Sequence, residues 1–336
     1  MSEAGAQPST ASSAAPSPGD RGEAGPAGAG RDLRTPHQRA WRRFRRNQPA
    51  WISAIFLSVL VVVVLAWPWV APYRPALSYA VQFQAPDGAH WLGTDVHGRD
   101  LLTRVLFGAR VSLMVGVVGA GVALGIGVAW GAVAGYVGGR LDSLMMRAVD
   151  VLYSLPSIIF VMVLITTLNQ SAQAALARLR APWGPGLADA APLFFLFVGL
   201  GAVSWLTMAR IVRGQVLSLR TRAFVEASRA LGASHWRILW RHILPNVLGI
   251  VIVYLTLTVP AVILYESFLS YLGLGIQPPM ASWGSLVAEG AAQLNPIRIY
   301  WWLIVFPAGF LVSTLLALNF FGDGLRDAFD PKGREE

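Results

Sequence analysis

The chain has 336 residues, of which 54% are hydrophobic and 13% are charged, and its formal net charge is +9. This composition is too apolar for a single soluble domain, so we predict a membrane protein with several spans. The chain has no cysteine, which excludes disulfides and thiolate metal sites. Its arginines lie beside apolar segments rather than among exposed aromatic residues, which favours a topological role over nucleic-acid binding.

The N-terminal region is predicted to be a disordered tail followed by a basic flank. Residues 1–30 are mainly Ala, Gly, Pro and Ser, and they lack the large apolar side chains that a core requires. Residues 31–46 contain seven arginines and a single acid, Asp32. Arg42 and Arg43 stand where a twin-arginine export signal would have them, but no small-residue cleavage site follows. We therefore predict an uncleaved membrane anchor.

Six apolar segments are long enough to cross a bilayer, which requires about 20 residues per helix. Unpaired backbone amides are costly in lipid, so we predict that all six are helices and that the fold is all-α. An even number of spans places both termini on one side. The basic flank and the loop 213–246, with six arginines and one glutamate, identify that side as the cytoplasm. The predicted spans are 51–71, 110–135, 149–168, 190–210, 247–268 and 299–321.

The outer segment 72–109 carries three arginines, against the bias of the other loops. We predict that residues 97–109 lie along the membrane surface as an amphipathic helix. Four side chains of this helix would enter the interface, namely Leu101, Leu102, Val105 and Leu106.

A glycine stripe occupies every fourth position of the second span and continues just beyond it. Such stripes allow two helix backbones to approach closely in a membrane. Packing within this subunit and packing against a partner permease both remain open. A nucleotide site is excluded as an interpretation, because no phosphate-binding glycine motif follows a predicted strand. The stripe consists of Gly127, Gly131, Gly135 and Gly139.

The polar segment from Glu226 to Pro245 predicts two short helices joined at a hinge. Gly232 can adopt the left-handed conformation that ends a helix, and Ser234 can cap the next one. Helical spacing predicts one apolar face on each helix. The first face would consist of Phe224, Ala227 and Leu231, and the second of Trp236, Leu239, Trp240 and Ile243.

Several motifs between about Arg42 and Lys332 resemble one family of membrane proteins. The first set resembles the EAA loop of binding-protein-dependent ABC importer permeases, with Ser in place of the second Ala. It consists of Glu226, Ala227, Ser228, Gly232, Ile243, Leu244 and Pro245. The second set resembles the C-type permease subunit of dipeptide and oligopeptide importers. It consists of Gly93, Thr94, Asp95, Gly98, Arg99, Asp100, Gly273, Gly275 and the tail motif 322–327.

This resemblance implies an all-α integral membrane protein with six transmembrane helices, the type I ABC importer (MetI-like) permease fold and a cytoplasmic EAA coupling loop. The implied partners are a homologous B-type permease, two ABC ATPases and an extracytoplasmic substrate-binding protein in the bacterial inner membrane. ATP and Mg would be held by the ATPases, so this chain would bind no cofactor or metal and would not be an enzyme. Peptide is the default cargo, with nickel, glutathione and sugar as alternatives. Four regions are expected. Residues 1–30 form a disordered cytoplasmic tail, and residues 31–109 hold the first transmembrane helix and an outer loop. Residues 110–321 form the core ABC permease domain with the coupling loop 213–246, and residues 322–336 form a cytoplasmic C-terminal tail.

Particular residues have expected roles, which come from the resemblance for Glu226 and the outer motifs, and from position in the chain for Glu266 and Asp150. Glu226 would dock in a groove of the ATPase, although a helix charge paired with Arg222 or Arg229 is the simpler reading of the residue alone. The outer motifs would meet the loaded binding protein. Glu266, near the outer end of the fifth span, would line the pathway or a gate, or else reach water or an outer arginine. Asp150 is predicted to pair with Arg147.

Three other classes of protein remain as alternatives. An ion-coupled secondary transporter requires several ionisable groups inside the membrane, and only Glu266 is arguable here. An intramembrane hydrolase requires a nucleophile and base or metal ligands, yet the five histidines show no paired spacing and no nucleophile elbow is visible. A scaffolding membrane protein is favoured only if no ATPase binds.

Overall fold

The computed structural model describes residues 36–70, 73–78, 81–164, 166–167, 185–278 and 280–329. Its regular structure in these ranges is helical, which confirms the all-α prediction there, and an isolated bridge joins Thr94 to Asp100. The predicted tail 1–30 lies outside the described residues. The helices are α1 (Pro36–Arg46), α2 (Gln48–Val70), α3 (Leu101–Val137), α4 (Gly139–Ser154), α5 (Ser157–Leu164), α6 (Pro185–Leu219), α7 (Ala223–Ala230), α8 (His235–Ile238), α9 (Leu244–Tyr271), α10 (Trp283–Ala291) and α11 (Trp302–Phe329).

Within the described ranges, four helices are long and apolar enough to cross a membrane. They correspond to the first, second, fifth and sixth predicted spans, which are confirmed as candidate membrane helices. The fourth predicted span, 190–210, lies within α6, which has 35 residues but is not among the four. The four candidate spans are Gln48–Trp67, Leu101–Val137, His235–Tyr271 and Trp302–Phe329.

The third predicted span, 149–168, is wrong as one continuous helix. α4 ends at Ser154, and α5 begins at Ser157 after a bend of 94°. Leu155 is extended, with φ −80° and ψ 139°, because a residue that precedes proline is disfavoured in the helical region and Pro156 follows. The bent pair counts as one span at most, so the described part has four or five candidate spans.

The predicted surface helix over residues 97–109 is also wrong, because α3 continues without a break from Leu101 to Val137. At about 1.5 Å per residue, this helix is about 55 Å long and extends beyond a bilayer core of about 30 Å. Its first turn is held by ion pairs and packing against α10 instead of lying in the interface. Of the four side chains predicted to enter the interface, three are buried in protein, namely Leu101, Val105 and Leu106. The fourth, Leu102, is half-buried.

The glycine stripe packs α3 directly against α6. A Cβ atom on Gly127 would lie 2.6 Å from the Cβ of Met208, and one on Gly135 would lie 2.8 Å from the carbonyl oxygen of Arg213. Gly131, between them, is buried against the same helix. Of the two interpretations, the seam within this subunit is therefore confirmed for these three glycines.

Gly139 does not belong to this seam. α3 ends at Val137, and Gly138 and Gly139 turn the chain with φ angles of +71° and +62°. A Cβ on Gly139 would meet no atom within 4 Å. Its role is therefore to change the chain direction between α3 and α4, where a positive φ favours glycine.

At one end of the bundle, α10 folds back against α3, α9 and α11. Its start is fixed by a capping box between Ser282 and Ser285. Trp283 is completely buried, and its indole N–H donates to the carbonyl of Val105 at 3.0 Å. This packing joins the segment between α9 and α11 to the first turns of α3.

The N-terminal helix packs on the last turns of α11. The rings of Phe44 and Phe321 meet edge to face at a centroid distance of 5.6 Å, and the Asn47 amide donates to Asp327 at 3.5 Å. α11 itself continues to Phe329, past residue 322, where the sequence predicts the C-terminal tail to begin. Both ends of the described chain therefore lie together.

Candidate functional site

Residues 223–243, which we call the hairpin, form two short helices at one end of the bundle. α7 ends in a Schellman motif, in which the N–H of Gly232 donates to Arg229 at 2.9 Å and that of Ala233 donates to Ser228 at 3.0 Å. Gly232 has a φ of +78°, and the side chain of Ser234 accepts from an N–H in the first turn of α8 at 3.4 Å. The predicted left-handed conformation of Gly232 and the predicted cap at Ser234 are confirmed, while a part of Gly232 in ATPase coupling stays a prediction.

The base of the hairpin is fixed in the core. Val225 and Ile238 are completely buried, and Leu239 and Ile243 have exposures of 4% and 0%. These side chains pack in one cluster with residues of α3, α6 and α9. The base of the hairpin is therefore part of the packed bundle rather than a free loop.

The side of the hairpin that faces away from the helix bundle is apolar and exposed. Because Val225 directs α7 inward, Phe224, one residue away and about 100° around the helix, faces outward with Leu231. The predicted apolar face of α7 therefore does not pack on this chain, and only part of the second predicted face does. Concentrated exposed apolar side chains mark interaction sites. The exposed fractions are 42% for Phe224, 88% for Leu231, 66% for Trp236 and 60% for Trp240.

Glu226 is exposed in the first turn of α7, as are Ala227 after it and Arg222 before it. Neither Arg222 nor Arg229 pairs with Glu226 among the ion pairs of the described residues. Its side chain lines a groove of about 740 Å³ between the hairpin and the end of α3, where Arg220 and Arg229 also lie. The carboxylate is thus free for a partner.

The second hairpin helix joins α9 through a π turn, Leu239–Ile243. Pro245 has no N–H with which to bond the carbonyl four residues back. The chain accommodates it with the wider turn, in which the N–H of Leu244 donates to the carbonyl of Leu239. Ile243 is buried, whereas Pro245 is exposed. The motif residues 243–245 therefore form a continuous connection from hairpin to membrane helix.

Three polar contacts tie the hairpin and its neighbours together. The hydroxyl of Tyr136 on α3 lies 3.0 Å from Nδ1 of His235 on α8. The Arg220 guanidinium donates to the carbonyl of Gly135 at 3.2 Å. Arg213 of α6 forms a bidentate pair with Asp142 of α4, with one N–O distance of 2.6 Å. The first contact joins the hairpin to α3, and the other two join its neighbours to each other, α3 to the segment after α6 and α6 to α4.

Asp150 pairs with Arg210 of α6, with an N–O distance of 2.7 Å, so the predicted pairing with Arg147 is wrong. The Arg210 guanidinium also lies 4.2 Å from the ring centroid of Tyr153. The ion pair that forms joins two different helices, and not two residues three positions apart on one helix. The pair joins α4 to α6.

The outer motif Gly93 to Asp100 folds around a buried ion-pair network. Asp95 pairs with Arg99 at 2.6 Å and with Arg104 at 2.7 Å, and Arg104 also reaches Glu289 of α10. Arg104 is only 2% exposed. Burial by itself raises the pKa of Asp95, but the N–H of Arg99 and the two guanidinium charges outweigh it and hold that pKa below its ordinary value.

The remaining residues of this motif make the turn itself. Thr94 is buried, and its hydroxyl donates to the carbonyl of Val81 at 2.7 Å. Asp100 accepts from the Thr103 hydroxyl and lies 2.9 Å from His90. Gly93 and Gly98 have φ angles of +80° and +69°. Contact of this motif with a binding protein stays a prediction, and the buried side chains of Thr94, Asp95 and Asp100 act within the chain.

Glu266 is completely buried, and none of the ion pairs of the described residues joins it to an arginine, contrary to the interfacial alternative. Its Oε1 accepts from the hydroxyls of Ser270 at 2.6 Å and Ser282 at 2.7 Å, which links α9 to α10. A Cβ on Gly275 would overlap Ser270, while Gly273 ends α9 with a φ of +79°. A pathway or gate role for Glu266 stays a prediction.

The sequence pattern does not single out Arg210, Asp142 or Glu289, each of which is half of an interhelical ion pair. The available signal was a charge close to the end of an apolar segment. Such charges are rarely left without a partner near a membrane. The partner itself depends on which helices pack together, which the sequence pattern does not contain.

The structure matches a chain of the MetNI methionine ABC transporter, with a TM-score of 0.50 over 66% of this chain and 95% of that chain, at 18% identity. Residues 127–335 match the family of binding-protein-dependent transport system inner membrane components, and residues 35–86 match the N-terminal transmembrane domain of oligopeptide transport permease C.

The curated relatives agree across nearly the whole chain. The oligopeptide transport system permease protein OppC of Haemophilus influenzae is 45% identical, covering 88% of this chain and 89% of the relative. The Escherichia coli K12 protein of the same name is 46% identical over 88% and 91%, and the dipeptide permease protein DppC of Bacillus subtilis is 43% identical over 88% and 86%. The chain belongs to the binding-protein-dependent transport permease family, and it is a transport subunit rather than an enzyme.

Proposed function

We propose that the chain is the C-type permease of an ATP-driven importer that carries dipeptides and oligopeptides through the bacterial cytoplasmic membrane. It pairs with a homologous B-type permease, two ABC ATPases dock on the permeases, and an external binding protein delivers the cargo. Both termini of this chain lie in the cytoplasm, and ATP and Mg are held by the ATPases. Peptide is preferred to nickel, glutathione or sugar because the relatives' names specify oligopeptide and dipeptide transport.

The observation that supports this function is the exposed apolar side of the hairpin on its buried base. Phe224 and Leu231 are exposed where a soluble domain has access, while Val225 and Ile238 anchor the same hairpin in the core. A surface of this kind leaves apolar area in contact with water, which is unfavourable, unless a partner covers it. Glu226, without an ion pair in this chain's described residues, adds a charge that a basic groove would recognise.

The coupling then follows from rigid contacts. ATP-driven closure of the ATPases moves the hairpin, and the buried base moves α3, α6 and α9 with it. The α3–α6 seam makes these two helices move together, because glycine brings their backbones into direct contact. The chain itself supplies two packed states with different affinities for its partners rather than bond chemistry.

We expect Leu231→Asp and Glu226→Arg to abolish coupling without unfolding the chain. Both side chains are exposed, and surface substitutions of this kind usually change the free energy of unfolding by less than about 0.5 kcal/mol. The measurement is co-purification of the ATPases with the tagged chain from gently extracted membranes, together with peptide-stimulated ATP hydrolysis.

Leu294→Asp is the matched control, because Leu294 is 64% exposed and lies after α10, at the other end of the bundle. It should retain the ATPases and their stimulation. If the tagged unsubstituted chain purifies without any ATPase, the proposed function is wrong. If the hairpin variants retain full stimulation, the hairpin is not the coupling site.

We expect Gly232→Val to impair coupling through the shape of the hairpin alone. No atom lies within 4 Å of a Cβ at this position, so the cost is the left-handed backbone, roughly 1–2 kcal/mol for an ordinary residue. Gly232→Asn is the control, because asparagine adopts this conformation more readily. Peptide-stimulated ATP hydrolysis should fall in the valine variant and largely survive in the asparagine variant. Equal activity of both variants would contradict a conformational role for Gly232.

A further inference from the structure

A cavity of about 290 Å³ lies between α4 and α5 on one side and α6 and α9 on the other. Its volume is at the lower end of ligand-sized cavities, roughly 300–1,000 Å³. The lining combines aliphatic side chains with a set of hydroxyl groups. The lining residues that carry hydroxyl groups are Tyr153, Ser157, Ser204, Thr207, Tyr254, Thr258 and Tyr265.

The hydroxyls of α9 follow one face of the helix. Tyr254, Thr258, Ala261 and Tyr265 are spaced by four, three and four residues, so they form a row about 16 Å long. Polar side chains at membrane depth usually face a protein interior or a water-filled cavity rather than lipid. The row is therefore expected to face the cavity and the neighbouring subunit.

These hydroxyls suit the backbone of a peptide. The Thr258 hydroxyl donates to the carbonyl of Tyr254 at 2.7 Å, which leaves its oxygen able to accept. Tyr254 and Tyr265 make no side-chain hydrogen bond with any described residue, so each phenol can both donate and accept. Every peptide unit other than proline offers one donor and one acceptor. The lining therefore matches what all peptides share.

The charge in this region lies beside the cavity and is already neutralised. No Asp, Glu, Lys, Arg or His is among the described residues that line the cavity. Arg210 follows Thr207 by three residues on α6, but it pairs with Asp150 and covers the ring of Tyr153. The lining thus holds no fixed charge that would select an acidic or basic side chain of the cargo.

We propose that this cavity is the wall that the chain contributes to the translocation path, and that its hydroxyls bind the backbone amides of the passing peptide. This inference rests on the proposed function and names the cargo-contacting site within it. The homologous permease completes the path where this cavity opens to the surface of the chain. Contact with the backbone alone explains how one path accepts peptides whose side chains differ.

Because the chain has no cysteine, single cysteines can test this wall directly. Ser204→Cys and Thr258→Cys are placed in the full complex in membrane vesicles and treated with a charged, water-soluble methanethiosulfonate. The controls are Ile252→Cys and Leu264→Cys, which bracket Thr258 on α9 and are 45% and 57% exposed on other faces of the helix. Uptake of a mixture of short, radiolabelled alanine peptides is measured for each variant.

We expect the two cavity cysteines to react, their reaction to be slowed by excess alanine peptides, and the two control cysteines to remain unreacted. Peptide uptake without reaction at the cavity positions, or equal reaction at the controls, overturns the cavity assignment while the proposed function stands. Absence of ATP-driven uptake by the unsubstituted complex contradicts the proposed function, and the assignment of peptide to this cavity is then wrong as well.

A second substitution tests the cavity by filling it. Ala261→Phe places a ring in the lining row, whereas Leu264→Phe places one on another face of the same helix. We expect loss of peptide uptake in the first variant and normal uptake in the second, with ATPase association retained in both. Normal uptake by the Ala261→Phe variant overturns the assignment.

Discussion

Replacing Arg104 with methionine is expected to lower the free energy of unfolding by about 3–5 kcal/mol, because a buried ion-pair network loses its central cation. Arg104 is 2% exposed and contacts both Asp95 and Glu289. Without it, Arg99 is the one charged partner that the buried Asp95 keeps among the described residues, and α3 loses its ionic tie to α10. The measurement is thermal unfolding of the purified chain in detergent.

Arg110→Met is the matched control for this effect. Arg110 lies on the same helix and is exposed, so its replacement should cost less than about 0.5 kcal/mol. Acid provides a second readout. The pKa of Asp95 is lowered in the folded chain, so its stabilisation is present above the unfolded value of 3.8 and is lost as the pH falls through the folded value. The difference between the wild type and Arg104→Met should therefore shrink in acid, and a difference independent of pH would contradict this account.

Gly131→Val is expected to cost about 3 kcal/mol or more, at the upper end of the range for overpacked positions. A Cβ at this position would overlap the backbone carbonyl of Ala209, and α6 has no flexible side chain there that could move aside. The helices must separate, which also loosens the neighbouring contacts of Gly127 and Gly135. Thermal unfolding and the yield of folded chain after extraction measure the effect.

The controls lie on the same helix. A Cβ on Gly121 or Gly125 would meet no atom within 4 Å, so valine at either position tests β-branching in α3 without the seam. The free energy of unfolding of each control variant should lie within about 1 kcal/mol of the wild-type value. Similar losses in all three variants would mean that valine in α3, and not the close approach to α6, is responsible.

The sequence predicts the local features of this molecule well, because they depend on neighbouring residues. The length of an apolar segment, the left-handed turn at Gly232 and the cap at Ser234 are of this kind. The α3–α6 seam is visible as a stripe, although the stripe does not say whether the helix packed on it belongs to this chain or to a partner permease. The break at Pro156 has a local signal too, since proline disfavours helix at the preceding residue, yet the apolar run around it masked that signal.

The features that the sequence does not predict are contacts between distant segments. Asp150 pairs across helices with Arg210 instead of with Arg147 on its own helix, and Glu266 bonds Ser282 of the outer segment instead of reaching solvent. In the hairpin, a single residue decides the orientation. Because Val225 faces the core, the apolar row beginning at Phe224 faces outward, and periodicity alone does not say which of two apolar positions is buried.

The wide turn before Pro245 sets the rotational phase of α9. A π turn takes in one residue more than an α turn, so every side chain beyond it is rotated by about 100° from where an uninterrupted helix would place it. The angular position of the cavity-lining row around α9, relative to the hairpin, is therefore set by the turn that the hydrogen bond from Leu244 to Leu239 closes. Because Pro245 keeps this turn wide, the angle between the hairpin and the row that lines the cavity is set by the sequence of the junction itself.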